Sequence, residues 1–420
     1  MKTRVDIMDE NKTVDSNVLD AFLDSYHEWT LHGKGLKYAS RELRYCLNVQ
    51  KERMKKKGLS FEESYEHVQD EIRGSLLKEG DPYEAKILYR ESKRILTYKN
   101  AEKVLKEQKK PVTFYGSLLD KKNYEDKLCT CSNCGHQTLL SELNDGCPYC
   151  GTVFETEDSY PCFTSFYTVN DIVERATLMD KIKKRMLIAG ITVGILVFIT
   201  CLFTYKEYPI ILRALIGLLI GAFGGGFSAV YIYMMNSMFL IAKVFHEAGR
   251  ALPLLSGLGT RKKLTQKLQA IDPDFSFEYF EGRIISLFRT IAYAEDRDSL
   301  CIYTGNQDLS GLDDLIDIQY RGALQLKDVR IIDGMTRIRV KAFLCNTYDK
   351  DRIYHRDENY LLTIERENGS HTDPGFDLLK IECPNCGGSF DALHEKKCPH
   401  CGSPYDLVHD DWVIREIKKV

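Results

Sequence analysis

The chain has 420 residues and a formal charge of −3, with 44% hydrophobic and 28% charged residues. Such a balance gives no global electrostatic reason to bind nucleic acid, and the length allows about two to four domains. Eight of the 14 cysteines sit in four Cys-x-x-Cys pairs, a spacing that suits bound metal better than a secreted disulfide framework.

In chain order, Met1 to Asp20 is polar and acidic. It has neither the apolar core of a secretory signal nor the Arg- and Ser-rich character of an organellar transit peptide. Residues 1–128 are expected to form a helical soluble region. Leu19, Phe22, Leu23, Tyr26 and Trp29-Thr30 give a spaced apolar face. Ser60 and Glu63 resemble a capping box ahead of Tyr65, Val68 and Ile72. Asp81-Pro82 is expected to open another helix, carrying Ile87, Leu88, Arg94, Ile95 and Leu96. Lys55-Lys56-Lys57-Gly58 reads as a helix end with solvated charge.

The first cysteine module spans 129–155 and reads Cys131-Ser-Asn-Cys134-Gly135-His136, then Cys147-Pro-Tyr-Cys150-Gly151. The second, within 381–405, reads Cys383-Pro-Asn-Cys386-Gly387, then Cys398-Pro-His-Cys401-Gly402. Each half is Cys-x-x-Cys-Gly, where glycine supplies the backbone angles of a tight turn. Four thiolates close a tetrahedral site and leave no position for water, so the expected metal is structural zinc, one ion per module. Iron fits the same sulfur set. Cys129 and His136 lie close enough to compete in the first site and stay outside the assigned ligands. Cys46, Cys162, Cys201, Cys301 and Cys345 read as buried thiols. No basic and aromatic interleaving surrounds the knuckles, which favours stapling over nucleic-acid binding.

A linker is expected over 156–185. The stretch 186–245 then reads as a transmembrane hairpin. Its spans cover about 186–205 and 211–233, the second extending as far as 242, with Lys206-Glu207-Tyr208-Pro209 as the turn. Gly190 and Gly194 in the first span, and Gly217, Gly221 and Gly225 in the second, repeat every four residues. That spacing lets helix backbones approach closely, either within the hairpin or between copies in a homo-oligomer. Lys181, Lys183, Lys184 and Arg185 precede the hairpin, and Lys243, Arg250 and Arg261-Lys262-Lys263 follow it. The positive-inside rule then gives a multi-pass protein of the cell membrane with both termini cytoplasmic. A second linker is expected over 246–264.

The remainder, 265–420, is expected to be α+β. Asp272-Pro273-Asp274 opens a helix with Phe277, Phe280, Ile284, Leu287, Phe288 and Ile291 on one face. A helical stretch is expected over Leu312 to Tyr320. Strands follow at Val329–Ile332, Thr336–Leu344 and Tyr360–Arg366, and after the second module at Asp411–Ile417.

Asp272-Pro273-x-Phe275-Ser276, Phe280, Phe288, Ala294, Arg297-Asp298 with Leu300, the strand around Val340 and the closing Trp412 to Ile417 resemble the Tim-forty-four-like domain family. A Cys-Pro-x-Cys-Gly ribbon just before an Asp-Trp-Val strand, as from Cys383 to Val413, is similar to certain bacterial members. The resemblance covers about the last 155 residues; the N-terminal region and first ribbon fall outside it. It implies a cone similar to nuclear-transport-factor-two-like domains, with helices on a curved sheet and an apolar pocket, for which Phe280, Ile284, Phe288 and Trp412 are the candidates. The whole chain is then multidomain: helical region, zinc ribbon, transmembrane hairpin, and an α+β cone with an inserted zinc ribbon.

The resemblance implies a membrane-anchored, non-enzymatic adaptor or scaffold whose cone binds a protein or lipid near the membrane, in the setting of protein translocation. The alternative is a lyase or isomerase using polar residues such as Asp296, Asp298, His355 and His371 in the cone pocket. The sequence holds no nucleotide loop, nucleophile elbow or open metal site.

Overall fold

The computed structural model describes residues 4–68, 72–79, 83–121, 124–152, 159–170, 175–255, 258–371 and 373–420. It divides into a body, formed by Met1–Asn170 together with Leu254–Val420, and a separate unit, Asp171–Pro253.

The body begins with α1 (Arg4–His32) and α2 (Arg41–Lys56). The apolar face anticipated on α1 is present, with Leu19, Phe22, Leu23, Tyr26 and Trp29 all buried in one core cluster. Ser40 caps α2 by accepting the Leu43 N–H at 3.2 Å. The helix stops at the lysine run, with Gly58 at φ +70°.

From residue 60 the expectation of helix fails. The chain forms β1 (Ser60–His67), β2 (Arg73–Lys78), β3 (Glu84–Asn100) and β4 (Lys103–Asp120). Ser60 and Glu63 make no capping box: both lie on β1, where Glu63 is buried against Arg94 of β3. The period decides the matter. Leu88, Arg90, Ser92, Arg94, Leu96 and Tyr98 are buried at every second position, the repeat of a strand. Asp81-Pro82 lies outside the described residues.

The first cysteine module follows, with the short pair β5 (Leu128–Thr130) and β6 (Gln137–Leu139). Then β7 (Cys162–Asn170), in a stretch expected to be linker, returns to the sheet and pairs antiparallel with β4 from Val112↔Asn170 to Leu119↔Cys162. Aromatic and β-branched residues of Cys162-Phe-Thr-Ser-Phe-Tyr-Thr-Val suit that position. The sheet order is β1-β3-β4-β7, with β2 also on β3.

The separate unit is a helical hairpin of α3 (Arg175–Thr204) and α4 (Ile210–Leu255). Within it, Lys183–Thr204 and Ile210–Met235 are long and apolar enough to cross a membrane. The glycine repeat closes this hairpin. A Cβ added at Gly225 would stand 2.5 Å from the Gly190 carbonyl oxygen, and one at Gly221 would stand 2.7 Å from that of Gly194. Gly217 faces Phe198 and Cys201 in the same way. The second linker is also absent as such: α4 runs to Leu255, and α5 (Leu258–Leu268) starts soon after.

In the C-terminal half, α6 (Phe277–Tyr293) is capped by Ser276, so Asp272-Pro273-Asp274 forms the turn before it. The expected helix at Leu312 to Tyr320 is a short 3-10 turn followed by β8 (Leu315–Ile332). The later strands appear as anticipated, in β9 (Met335–Asp349) and β10 (Ile353–Glu367). The second module contains β11 (Ile381–Glu382) and β12 (Ser389–Phe390), and β13 (Val413–Lys419) closes the sheet in the order β8-β9-β10-β13.

The halves on either side of the hairpin are packed into each other. Arg53 of α2 donates to the carbonyls of Ala292 and Leu312, at 2.7 and 2.8 Å. Gln50 donates to Ile316 O at 2.9 Å, and Arg94 pairs with Asp317 at 3.4 Å. Arg283 of α6 joins Glu42 of α2 to Asp411, all three buried. A buried guanidinium needs such partners, because an unpaired charge away from water costs several kcal/mol.

Candidate metal centres and the surrounding polar residues

Each cysteine module folds into two copies of one turn. In all four, the N–H of the glycine after the second cysteine donates to the carbonyl of the first at 2.8 Å. Gly135, Gly151, Gly387 and Gly402 adopt φ between +69° and +75°, angles that glycine reaches without strain. The N–H of the first cysteine closes each turn onto the residue beyond: Cys131 to His136 O, Cys147 to Thr152 O, Cys383 to Gly388 O and Cys398 to Ser403 O, at 2.8 to 3.0 Å.

These turns bring together Cys131, Cys134, Cys147 and Cys150 in one site, and Cys383, Cys386, Cys398 and Cys401 in the other. The sulfurs of each set lie within 4.8 Å of one another. Cys131 and Cys150 are 3.7 Å apart, as are Cys134 and Cys147; the matching pairs of the second site are at 3.6 and 3.7 Å. A tetrahedron with metal–sulfur bonds of about 2.3 Å has edges of about 3.8 Å. Both sets are therefore shaped to hold a metal ion. None of the 14 cysteines forms a disulfide.

The two sites share supports that the motif alone did not reveal. The side-chain amide of Asn133 lies 3.8 Å from Cys150 Sγ, and that of Asn385 lies 3.6 Å from Cys401 Sγ. Thr152 and Ser403 hydroxyls approach the same two sulfurs at 3.1 and 3.2 Å. Hydrogen bonding from Thr152 brings the Cys150 thiol down to about 6, and Ser403 brings Cys401 down to about 5. The repeated Cys-x-Asn-Cys-Gly and Cys-Pro-x-Cys-Gly-Thr/Ser were the available signal. Cys129 packs beside the first site, and His136 stacks on Tyr149 at 5.5 Å; neither belongs to the four-sulfur set.

The expected apolar pocket is filled. Phe280, Ile284, Phe288 and Trp412 are each 2% exposed or less and belong to the core of the C-terminal half. Phe280 meets Trp412 edge-on at 5.4 Å, and Phe288 packs on Tyr360 at 5.2 Å. An apolar helix face against an apolar sheet face is satisfied by packing, and here the side chains occupy the space between them.

The polar candidates for catalysis are dispersed. Asp296 accepts from the Ser299 N–H at 3.3 Å, and Asp298 is exposed. His355 contacts Thr347 at 2.8 Å and Gln108 at 2.7 Å, and burial with Lys106 and Lys110 nearby lowers its pKa to about 4. His371 stands 3.8 Å from Asp272, which is engaged with Arg366 at 2.7 Å. The side-chain contacts of these residues join neither Asp296 nor Asp298 to either histidine among the described residues. Compared with family models, curated proteins and solved structures, the chain gives no match.

Proposed function

We propose that this chain is a membrane-anchored, non-enzymatic adaptor that holds a zinc-stapled body at the cytoplasmic face of the cell membrane, where the body binds a protein partner. The observation that carries the reading is the insertion of the apolar hairpin into a single folded body. A body assembled from the segments before and after the hairpin requires both segments on one side of any membrane that the hairpin crosses. Flanking lysines and arginines assign that side to the cytoplasm. The free thiols agree with a reducing compartment. Zinc is the ion we assign to both sites, since it favours closed tetrahedral thiolate sets.

A closed sulfur shell supports structure and offers no coordination position for substrate. The dispersed Asp and His residues supply no acid–base pair. The resemblance of the C-terminal half to the Tim-forty-four-like family favours polypeptide binding beside a membrane over catalysis. The test combines topology with capture. A C-terminal reporter active only outside the cytoplasm should stay silent, and purified protein should carry two zinc ions per chain. A photoreactive amino acid on the body should crosslink one discrete polypeptide in intact cells. An active reporter, or crosslinks to lipid alone, overturns the reading.

A further inference from the structure

A trough of about 800 Å³ runs between the stems of the two cysteine modules, from Lys127 and Leu140 beside the first to Ile381 and Glu382 at the second. Tyr160, Gly375, Phe376 and Asp377 line it and also line a smaller chamber of about 20 Å³. Glu42, Arg283 and Tyr279 line that chamber too.

Both tiers have more carboxylates than cations. The trough sets five carboxylates, Glu125, Asp373, Asp377, Glu382 and Asp410, against four cations, Arg41, Lys121, Lys127 and Lys380. At the chamber, Arg283 is shared by Glu42 and by Asp411 behind it, while Asp377 pairs with Arg41 at 3.8 Å. One guanidinium serving two buried carboxylates leaves one of them, Glu42, to be met by a proton or a further cation, beside the Leu378 N–H at 3.5 Å. A chamber of this size takes one water-sized group. An ammonium head meets that limit; a planar guanidinium does not.

We propose that the trough binds an extended segment of a basic polypeptide, with one lysine ammonium entering the chamber beside Glu42. The inference rests on the adaptor reading and gives its partner a chemistry. Tyr124, Tyr160 and Phe376 offer apolar surface to the lysine stems, and the flanking carboxylates offer partners to further cations. Burial pushes the Glu42 carboxyl up to about 7, with Arg283 opposing and Asp377 and Asp411 reinforcing that rise. A bound ammonium favours the ionised form, so affinity rises from pH 6 to 8 and levels off above.

The test uses the full chain in detergent with both metal sites loaded. Its probe is a fluorescein-labelled nonapeptide of alternating lysine and serine, beside arginine and acetyl-lysine versions. The lysine peptide should bind at least tenfold more tightly than either. Glu42→Gln should reduce it to the arginine level. Glu125→Lys, on the exposed trough wall, should weaken both cationic peptides severalfold and keep the preference for lysine. If Glu42→Gln lowers the thermal midpoint sharply, Thr164→Met serves instead, because it fills the chamber and leaves the Glu42–Arg283 pair in place. Equal affinity for lysine and arginine peptides, no binding, or a lysine preference that survives chamber substitution overturns the proposal. None of these results touches the adaptor reading, which stands or falls on topology and crosslinking.

Discussion

The two halves of the body are built on one plan, yet their metal sites are held differently. In each half, antiparallel strands are followed by a four-cysteine module and then by a last strand that pairs with the strand preceding the module: β1-β3-β4, with β2 also on β3, then β7; and β8-β9-β10, then β13. The first module nonetheless has its own small core, in which Cys131, Leu143 and Cys147 pack with Cys129. The second is fused to the main core: Cys383, Phe390, Ala392, Leu393 and Cys398 are continuous with α6 and Trp412. Backbone bonds stitch it further, from Cys301 N–H to Leu393 O at 2.7 Å and from Ala392 N–H to Leu378 O at 3.0 Å. Tyr45 of α2 reaches His394 at 2.9 Å, so the module touches both halves. The same insertion is a satellite in one half and part of the core in the other.

That contrast is broken most directly by removing one ligand at a time. Cys398→Ser should lose one metal ion and destabilise the whole body, on the order of 5 kcal/mol, because metal binding and folding are one process in such a site. Cys147→Ser should also lose one ion but leave the main thermal transition almost in place. Metal content and calorimetry on the same samples decide it. Equal losses of stability from the two substitutions would show that the first module is no satellite.

The joint between the halves comes next. Arg283→Ala strands Glu42 and Asp411 as buried carboxylates, and a cost of about 3–5 kcal/mol is expected. Denaturant unfolding should show the loss, and Arg283→Met should recover little, since the stranded charges remain. A change below about 1 kcal/mol would mean that water reaches the pair and the joint is looser than the burial indicates.

In the hairpin, the close approach of Gly225 to Gly190 leaves no room for a side chain. Gly225→Leu should overpack the contact by about 1–3 kcal/mol and separate the helices. Spin labels at Ile195 and Leu219 should report a longer distance in the variant. An unchanged distance would assign the glycines to contacts between copies instead.

What the sequence disclosed follows from how local each signal is. The two four-cysteine sets and both apolar spans were legible because each is set by spacing or by a continuous run. The α1 face and the apolar face of α6 were legible through a 3.6-residue period, but the start of α6 was not, since Ser276 and not Asp272 caps it. The first sheet was not. Its inner face carries Arg90, Ser92 and Arg94 where an apolar alternation would be sought, and those positions make sense only once Asp20, Glu63 and Asp317 stand opposite. The strand β7 was hidden behind Pro161 and the cysteine module, so its partner β4 lay more than 40 residues away. The pocket failed for a different reason. An amphipathic helix face predicts burial and does not say whether the space it faces is empty.

Glu281 offers the smallest expected effect and the finest comparison, because it tests how α6 joins β7 of one half to β8 of the other. Its carboxylate accepts from Tyr320 at 2.5 Å and Tyr167 at 3.3 Å, and no cation pairs with it among the described residues. Burial raises its pKa to about 7, with Glu278 adding to the rise and the tyrosines opposing it. Between the ordinary carboxyl value of 4.5 and about 7, the folded state holds a proton that the unfolded chain has released. The stabilisation is therefore complete below 4.5 and is lost as pH rises through 7. Glu281→Gln keeps an acceptor for both tyrosines and cannot ionise. Relative to the native chain it should be near neutral at pH 5 and about 1–2 kcal/mol more stable at pH 8. Glu42 titrates over the same range and stays in both proteins, as do the metal sites, so the difference between the two stability curves isolates Glu281. A difference that does not grow with pH would mean that Glu281 is already ionised in the folded body, with water completing its hydrogen bonds at the seam between the halves.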